Sequence, residues 1–518
     1  MRNRLAQKLS GTFPFFSPEH HKTPQKVPHT HSATRSRAPE GHRIAIIGGG
    51  LAGLAAATVL AERGVEVEVF EKEEVLGGRL GAWKDELKDG TQFSMERGFH
   101  AFFRQYYNLR ALMRRFNGEE SLVPMQDYPL IAPGGMTQSF SGIPKQTPFN
   151  FLSLMWRTPT LTLRDLLRIR SDRALAMLQF DPETTYARFD HMSARDYLDG
   201  LRFPPDARRM LFDVFSHSFF NPEPHYSAAE LLAMFHFYFV GNPEGLVFDV
   251  LDKPFDRAIF GPLQRYLEAL NVQIRAGETV QQLEKTQSGF QAVTTRGKKN
   301  YDGIVLALHV DGLKRLIDDS PGLASDHLVR SVNSLEVTWP FAVLRLWTDR
   351  PCDPSRAPFA GTADAGILDN ISLFERLEDE SRKWSHARGG SVVELHAYGV
   401  DPSRAPASIR EELLERCRQL YPELREAIIH DERLIIRRDC PAFQPGSHRH
   451  RPSVESGIDG LMLAGDFVRM PFPCALMERA VASGMMAANQ LLRRLEVKEE
   501  ALFSVPPRGM LAGMVRAA

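Results

Sequence analysis

The sequence predicts an α/β protein in which a βαβ unit near the N-terminus is completed by a strand–helix pair near the C-terminus. Residues 44–79 contain an apolar strand, a glycine-rich turn, an amphipathic helix and a second strand, all within a short stretch. Residues 457–489 contain a short apolar strand, a Gly-Asp turn and a helix with small residues at packing positions. We therefore expect a Rossmann-like domain interleaved with an α+β second domain.

The composition excludes several classes of protein. A chain of 518 residues corresponds to about three domain-sized units. Lys plus Arg and Asp plus Glu are both 64, so no basic field favours nucleic acid, and we expect no nucleic-acid partner. The four cysteines lie far apart and form no CxxC pair, so we expect no metal site, no disulfide framework and a cytoplasmic location.

The hydropathy pattern predicts at most a peripheral membrane contact. The longest apolar stretch, Leu231 to Val240, is shorter than the roughly 20 residues that span a bilayer. The basic amphipathic stretch that starts at Leu161 could lie in a membrane interface, with an ordinary solvent-facing helix as the alternative.

Changes in composition and periodicity suggest the domain boundaries. A Pro- and His-rich disordered tail is expected at 1–41 and a C-terminal tail at 496–518. The Rossmann-like domain is expected to combine three stretches: 42–115, 245–310 and 440–495. The second domain, with residues 150–240 mostly helical, is expected to combine two: 116–244 and 311–439. Within these stretches, strands are expected at 272–274, 279–283, 291–295, 303–308, 335–348, 391–399 and 461–464, and helices from Ser408, as N-cap, and over 477–492.

The glycine-rich turn fits GxGxxG with glycines at 48, 50 and 53. Gly48 permits the tight turn, Gly50 lets a pyrophosphate approach the backbone, and Gly53 lets the helix pack on the strand. The N-terminus of the following helix offers free N–H groups to phosphates. Because a strand precedes the motif and a helix follows it, we interpret it as a dinucleotide site.

An acidic residue and a second glycine turn narrow the cofactor. Glu71 ends the second strand, where its carboxylate can accept from ribose hydroxyls and disfavours a 2′-phosphate, and Lys72 follows it. Gly78 and Arg79 belong to a Gly-Gly-Arg turn suited to wrapping a diphosphate, onto which an Arg side chain can fork. Together these motifs resemble the flavoprotein superfamily of amine oxidases, protoporphyrinogen oxidases and carotenoid desaturases, which implies FAD in extended form and an amine-oxidase type of Rossmann-like domain.

The same resemblance assigns cofactor roles further along the chain. Gly465 and Asp466 match the Gly-Asp turn that holds the ribityl-phosphate region. Met477 matches the helix N-terminus that faces the flavin pyrimidine, where the helix dipole stabilises the negative charge of reduced flavin. Val280 matches the position whose backbone meets the adenine.

The segment from Trp83 to Leu109 resembles plant and cyanobacterial phytoene and ζ-carotene desaturases, which carry a Glu-x-Gly-x-His-x-Phe-Phe core here. The matching residues are Glu96, Gly98 and His100, in a segment that runs beside the isoalloxazine ring in related folds. Glu96 or His100 could be the catalytic base, although His100 could instead be a structural histidine bonded to backbone.

Two longer strings, GFHAFFRQYYNLRAL and GDFVRMPFPCALMERAVASG, look most like the β-carotene desaturase/methyltransferases, the isorenieratene- and renierapurpurin-type synthases. That resemblance implies loss of hydride from a β-ionone ring to FAD, a 1,2-methyl migration and proton loss, repeated until the ring is aromatic. Some members carry a Rieske domain, whose paired Cys-x-His ligands are not found in this sequence. Cys474 stands where Val is expected.

A cationic reaction of this kind needs apolar, aromatic walls. Candidates that could equally be ordinary core are Phe212, Phe215, Phe219, Phe220, Phe235, Phe237, Tyr238 and Phe239. Arg469 and Arg479 could favour anionic flavin or a quinone electron acceptor, or be ion-pair residues. The expected partners are a hydrophobic carotenoid, a membrane surface and a quinone.

Three other interpretations stay open. One is a desaturase of a linear carotene or a squalene-type isoprenoid. Another is a flavin-binding, membrane-associated protein without turnover. The third is an amine oxidase, which should show an aromatic cage before the C-terminal motif, where this chain is rich in Arg, His and Pro.

Overall fold

The structure is a computed structural model that describes residues 24–28, 33, 35–125, 127–139, 153, 170–209, 217–243, 245, 247–323, 325–509 and 511–512. The first half of the basic stretch predicted from Leu161, up to residue 169, lies outside the described residues, as do the aromatic candidates Phe212 and Phe215.

A five-stranded parallel sheet forms the centre of the first domain. Its strands, in spatial order, are Gln273–Arg275, Glu66–Phe70, Arg43–Ile47, Gly303–Leu306 and Leu461–Leu463. The three strands Arg43–Ile47, Gly303–Leu306 and Leu461–Leu463 are almost entirely apolar because a parallel sheet is covered on both faces. The Rossmann-like fold class is therefore confirmed, and the strand near the C-terminus lies next to strands from the first two-thirds of the chain.

Two helices pack closely against each other beside this sheet. The first, Leu51–Glu62, is rich in alanine, and the second is Leu476–Arg494. A Cβ added at Gly484 would lie 2.0 Å from the carbonyl oxygen of Ala52, so only glycine permits this approach. Close contact between these helices joins the two halves of the predicted cofactor site.

A small antiparallel sheet and two helices extend the same hydrophobic core. The sheet consists of Val280–Lys285, Phe290–Thr294 and Gly297–Tyr301, and the helices are Val310–Asp318 and Asp326–Asn333. The second domain was expected to begin again at residue 311. The apolar faces of both helices pack into the hydrophobic core that contains the parallel sheet, and the boundary at residue 311 stays a prediction.

The second domain contains a seven-stranded sheet. In spatial order its strands are Ile429–Arg437, Phe341–Thr348, Val392–Ala397, Asn370–Leu373, Phe359–Thr362, Leu130–Ile131 and Thr137–Gln138. One face packs with the helix Pro406–Leu420. The other face packs against the segment that includes Phe93 and Phe99, which carries the candidate catalytic residues.

Helices and short strands connect the two sheets. The helices are Tyr107–Arg114, Ser171–Ala176, Pro182–Phe189, Ala194–Gly200, Pro205–Arg208, Ala228–Phe235, Gly261–Ala269 and Asp379–Arg388. The short strands are Gln25–Lys26, Ala82–Glu86, Gln92–Glu96, Phe102–Phe103, Leu122–Pro124, Phe248–Leu251 and Phe503–Ser504. Two π-helical turns, His236–Val240 and Asp256–Phe260, flank this region.

The expectation of two loose tails is wrong where the structure describes them. Gln25–Lys26 pairs antiparallel with Phe503–Ser504, and Arg35 bridges Val497. Leu502 and Val505 are buried in the main core. These two segments pair with each other and pack against the first domain because the packing removes their apolar side chains, such as Leu502 and Val505, from water.

The predicted strands are present, with shifts of a few residues at their ends. Phe341–Thr348 begins later than expected because Pro340 precedes it and has no N–H for the ladder. The expected N-cap Ser408 is wrong: the helix begins at Pro406, and the Ser408 hydroxyl donates to the carbonyl of Ala405. Across the described stretches, no helix is both long enough and apolar enough to cross a membrane.

Candidate cofactor and active site

The structure gives a different reason for glycine at each of the three positions of the first turn. A Cβ at Gly48, whose φ is +112°, would lie 2.4 Å from the carbonyl oxygen of Ala307, and one at Gly53 would lie 2.0 Å from that of Gly48. At Gly50 the nearest protein atoms would be 4.0 Å away. Packing therefore requires glycine at 48 and 53 but not at 50, and the open space at the helix N-terminus fits a pyrophosphate.

Glu71 braces this turn from the end of the second strand. Its carboxylate accepts the N–H of Gly49 at 2.8 Å and that of Glu73 at 3.0 Å. The exposed Lys72 side chain pairs with Glu73 instead of facing the turn. The contact of Glu71 with a ribose stays a prediction.

The adenine-side residue predicted from sequence lies close to Glu71. The backbone carbonyl of Glu71 accepts the N–H of Glu278 at 3.0 Å, and Glu278 lies two residues before Val280. The side chain of Val280 is buried at the start of its strand. The chain therefore brings Val280 to the same end of the parallel sheet as Glu71, the predicted ribose-binding residue.

The Gly-Gly-Arg turn touches both halves of the site. Gly77 donates to the carbonyl of Gly49 at 2.8 Å, and a Cβ at Gly78 would lie 3.3 Å from the Cα of Gly50. Arg79 donates to both carboxylate oxygens of Asp466, at 2.6 and 2.9 Å. Two parallel N–H···O bonds of this kind fix both side chains, so Arg79 and Asp466 together connect the two predicted phosphate-side segments.

The Gly-Asp turn is built on a left-handed glycine. Gly465 has a φ of +149°, a Cβ there would lie 2.6 Å from the ring of Phe467, and its N–H donates to the Ser483 hydroxyl. Met477 lies in the first turn of Leu476–Arg494, as predicted from sequence. Leu476 begins that helix with a φ of +47°, a strained conformation for a branched residue.

Glu478, which was not singled out from sequence, joins this helix to Tyr107–Arg114. Its buried carboxylate accepts the backbone N–H groups of Asn108 and Leu109, both at 2.9 Å. Burial raises the pKa of Glu478 to about 7. Nothing in its own sequence neighbourhood marks it, because its partners lie about 370 residues earlier.

Arg479 takes the ion-pair role that was one of the two alternatives. Its guanidinium pairs with Glu230 at 3.2 Å, and Arg451 binds the other oxygen of the same carboxylate at 2.5 Å. Burial alone would raise the pKa of Glu230, but the two arginines lower it to about 2. Arg469 is exposed.

The two candidate bases differ in their surroundings. Glu96 is buried, accepts the N–H of Phe255 at 2.7 Å and lies 3.9 Å from Arg345; burial raises its pKa well above the usual range. His100 bonds the carbonyl of Gly98 through Nδ1 at 2.7 Å, and burial lowers its pKa to about 4. His100 therefore stays neutral near pH 7, while burial shifts Glu96 toward its protonated form. Their catalytic roles stay predictions.

Behind this segment lies a polar cluster that sequence reasoning missed. Gly98 has a φ of +100°, and a Cβ there would lie 2.6 Å from the ring of His396. His396 bonds Glu394 at 2.7 Å, and Glu394 accepts from Arg345 at 2.8 Å. These residues alternate with apolar ones on buried strands, a pattern of charged residues in otherwise apolar runs that could have drawn attention to them.

Aromatic side chains lie in and near the segment that carries the candidate bases, and His100 packs edge-on against Phe255. Phe99 stacks on Phe359 with ring centroids 4.4 Å apart, and the hydroxyls of Tyr106 and Tyr238 are 2.7 Å apart. Phe219 stacks on Tyr238, while Phe235, Phe237 and Phe239 are buried in the core. Phe220 packs edge-on against Tyr398. The predicted aromatic candidates thus lie on several elements, and their role as walls of a substrate site stays a prediction.

A cavity of about 750 Å³ is lined in part by Tyr398, the partner of Phe220. Its volume is within the usual range for small-molecule sites. Its lining combines apolar side chains with charged ones: the apolar ones include Leu198, Phe203, Trp339 and Ile367, and the charged ones include Arg195, Asp199, Arg208, Glu223, Asp369 and Arg404. Among the described residues, no group of three or more His, Cys, Asp or Glu side chains is arranged to hold a metal ion.

The fold and the two-part site define a flavoprotein of the amine oxidase type. Residues 51–492 match the family model described as flavin containing amine oxidoreductase, and the chain belongs to this family. The solved structure of a putative protoporphyrinogen oxidase from Exiguobacterium matches with a TM-score of 0.62 at 17% identity, covering 88% of this chain and 99% of that one. Wild-type putrescine oxidase bound to putrescine matches with a TM-score of 0.63 at 16% identity, over 88% and 99%. The protein binds FAD.

Curated relatives narrow the kind of flavoprotein. A carotenoid phi-ring synthase of Streptomyces griseus is 45% identical over 92% of each chain. A carotenoid phi-ring synthase of Chlorobaculum tepidum is 27% identical over 91% of each chain. A probable zeta-carotene desaturase of Synechococcus elongatus is 26% identical over 87% of this chain and 98% of its own. The protein is an FAD-dependent oxidoreductase of carotenoid biosynthesis that resembles the carotenoid desaturases.

Proposed function

We propose that this protein desaturates the β-ionone end ring of β-carotene, with a 1,2-methyl migration, to give an aromatic carotenoid ring. The observation that carries the proposal is the 45% identity, over 92% of both chains, to a carotenoid phi-ring synthase. The relatives named for desaturation of ζ-carotene or phytoene are less similar, at 24 to 26% identity. A ring substrate is therefore favoured over a linear one.

When bound, FAD supplies the hydride acceptor. The turn at Gly48, Gly50 and Gly53, with Glu71, Lys72 and Val280, holds the adenosine and pyrophosphate end in this proposal. Gly78, Arg79, Gly465, Asp466 and Met477 hold the remainder. The support is the open space at Gly50 and the doubly hydrogen-bonded pair between the two segments.

The residues around the reacting ring exclude water and take up a proton. Aromatic faces such as those of Phe99 and Tyr238 stabilise positive charge that develops on the ring and polyene. His100 is the first candidate proton acceptor because it is neutral and its Nδ1 is already bonded to the carbonyl of Gly98. That bond fixes the tautomer in which Nε2 carries the lone pair. Glu96 is proposed to position the loop around Phe255.

Because the proposed substrate is dissolved in lipid, we also propose peripheral membrane association from the cytoplasm and a quinone as final electron acceptor. Co-sedimentation of the purified protein with vesicles of anionic phospholipid tests the association. Recovery of all the protein in the supernatant, at low and moderate salt, would exclude it.

Expression in bacteria that make β-carotene, followed by pigment analysis, tests the main proposal. Carotenoids with aromatic end rings are expected. Unchanged β-carotene, with conversion of phytoene or ζ-carotene in parallel strains, would instead establish the second candidate, a linear-carotene desaturase, which the 26% identity to a ζ-carotene desaturase favours. A protein that retains FAD but converts none of these pigments would point to the non-catalytic alternative.

A further inference from the structure

A continuous line of hydrogen bonds runs from a buried ion pair to the cavity. The Arg345 guanidinium donates to Glu394 at 2.8 Å, and the other carboxylate oxygen of Glu394 is 2.7 Å from Nε2 of His396. Nδ1 of His396 is 2.8 Å from the hydroxyl of Tyr398, which also accepts from the amide of Asn370 at 3.0 Å. Tyr398 lines the cavity of about 750 Å³.

The charges in this line determine where the protons lie. Burial alone would raise the pKa of Glu394, but Arg345 and the bond from His396 lower it to about 2. This carboxylate is therefore ionised and can only accept hydrogen bonds. Nε2 of His396 therefore donates to this carboxylate, and Nδ1 can then accept the O–H of Tyr398. Burial raises the pKa of Tyr398 far above its usual value, so the phenol keeps its proton at rest.

The middle of the line lies against the segment that carries His100. Gly98 lies directly against the His396 ring, and Phe99 donates its N–H to Glu394 at 2.8 Å. At the other end, Tyr398 packs in the same apolar cluster as Cys440, which lies near Arg79. The line therefore connects the segment that carries His100 with Tyr398 at the cavity.

We propose that Tyr398 is a second proton acceptor of the ring reaction, with His396 and Glu394 as the groups that take its proton. A C–H bond of the cationic ring breaks, and its electron pair becomes a ring double bond. The proton goes to the Tyr398 oxygen while the phenol's own proton passes to Nδ1 of His396. The resulting imidazolium lies beside ionised Glu394.

This proposal rests on the proposed function, in which FAD takes the hydride of each round. It adds a destination for protons that leave from different carbons of the ring. Making the ring aromatic requires two rounds of two-electron oxidation, each of which releases one proton. His100 and Tyr398 approach the site from different elements, a segment after the strand Gln92–Glu96 and the end of the strand Val392–Ala397.

The variant Tyr398→Phe tests the proposal, because it removes only the hydroxyl and keeps the ring that packs on Phe220. Tyr421→Phe, a buried tyrosine on the far face of the seven-stranded sheet, is the matched control. With purified FAD-loaded protein and β-carotene in detergent, Tyr398→Phe is expected to lower turnover about a hundredfold. Its FAD content should equal that of the wild type, and the control should match the wild type in both.

Single-turnover rates in H₂O and D₂O give a readout that a structural role would not change. The transferred O–H proton exchanges with solvent, so the wild type should be slower in D₂O and Tyr398→Phe should lose this difference. Equal turnover of Tyr398→Phe and wild type, or equal wild-type rates in the two solvents, would overturn the relay. Failure of the wild type itself to convert β-carotene would instead overturn the proposed function. If Tyr398→Phe loses FAD, the wild-type solvent comparison alone decides.

Discussion

The guanidinium of Arg79 donates hydrogen bonds to both carboxylate oxygens of Asp466, which lies 387 residues further along the chain. This pair is the direct polar link between the N-terminal and C-terminal segments of the cofactor site. Its side chains are partly exposed, at 33% for Arg79 and 12% for Asp466, so it borders the cleft instead of being sealed in the core.

We expect Arg79→Lys to weaken FAD binding, because an ammonium group cannot make both bonds to Asp466 or fork onto a diphosphate. Loss of one charge-assisted bond corresponds to about tenfold or more in affinity. The flavin absorbance per mole of protein after dialysis measures the effect. Arg494→Lys, which alters an exposed pair with Asp459, is the control and should keep its flavin. Full flavin content in Arg79→Lys would contradict this role.

Gly50→Ala and Gly53→Ala should fail in different ways. A Cβ at Gly50 meets no protein atom closer than 4.0 Å, so the apoprotein should keep its stability within about 1 kcal/mol while FAD binding is lost. A Cβ at Gly53 would lie 2.0 Å from the Gly48 carbonyl, so the fold itself should be destabilised by about 1–3 kcal/mol or more. Thermal unfolding of the FAD-free proteins separates the two; equal losses of stability would refute the distinction.

Glu478 should make stability fall with rising pH. Its folded-state pKa, raised by burial to about 7, lies above the unfolded value of 4.5. The folded state therefore holds a proton that the unfolded state has lost between these values, so this contribution is full below about pH 4.5 and is lost as pH rises through 7. The size is about 3 kcal/mol.

The variant Glu478→Gln keeps an acceptor for the N–H groups of Asn108 and Leu109 but cannot ionise. Its melting temperature, relative to that of the wild type, should therefore increase steadily from pH 4.5 to 7. A constant difference between the two proteins across this range would show that Glu478 does not titrate as expected.

Glu96→Gln and His100→Ala distinguish the two candidate bases. Burial raises the pKa of Glu96 and so favours its neutral form, and an amide still accepts from Phe255, so Glu96→Gln should stay close to wild-type turnover. His100→Ala should lose about a hundredfold if the imidazole accepts a proton. Because the pKa of His100 is about 4, its protonation should not reduce activity until the pH falls near that value. The reverse order of effects would assign the base to Glu96.

Local patterns predicted the parallel sheet, the glycine turn and the C-terminal strand–helix pair. These features depend on residues close in sequence, such as the strand Arg43–Ile47 and the helix that follows Gly50. The features that the sequence did not predict depend on tertiary contacts between distant parts of the chain. Glu394, His396 and Tyr398 form their line by meeting Arg345, Phe99 and Asn370 across a folded sheet, and no short-range pattern encodes those meetings.

The chain ends show the same limit. The polar composition of 1–41 hides the two-residue strand at Gln25, whose partner at Phe503 is nearly the whole chain away. Likewise, the apolar face of helix Val310–Asp318 packs into the hydrophobic core that contains the parallel sheet, a contact that its own sequence does not specify. Composition alone reports whether a segment can bury surface, but not against which neighbour.

The fifth strand of the parallel sheet, Leu461–Leu463, and the Asp466 that follows it are synthesised after nearly nine-tenths of the chain. A ribosome-bound nascent chain thus exposes an incomplete sheet edge and half a nucleotide cleft until this strand has been synthesised. Binding of the whole cofactor consequently requires this strand, and a product truncated by premature termination before it should emerge colourless and dependent on chaperones.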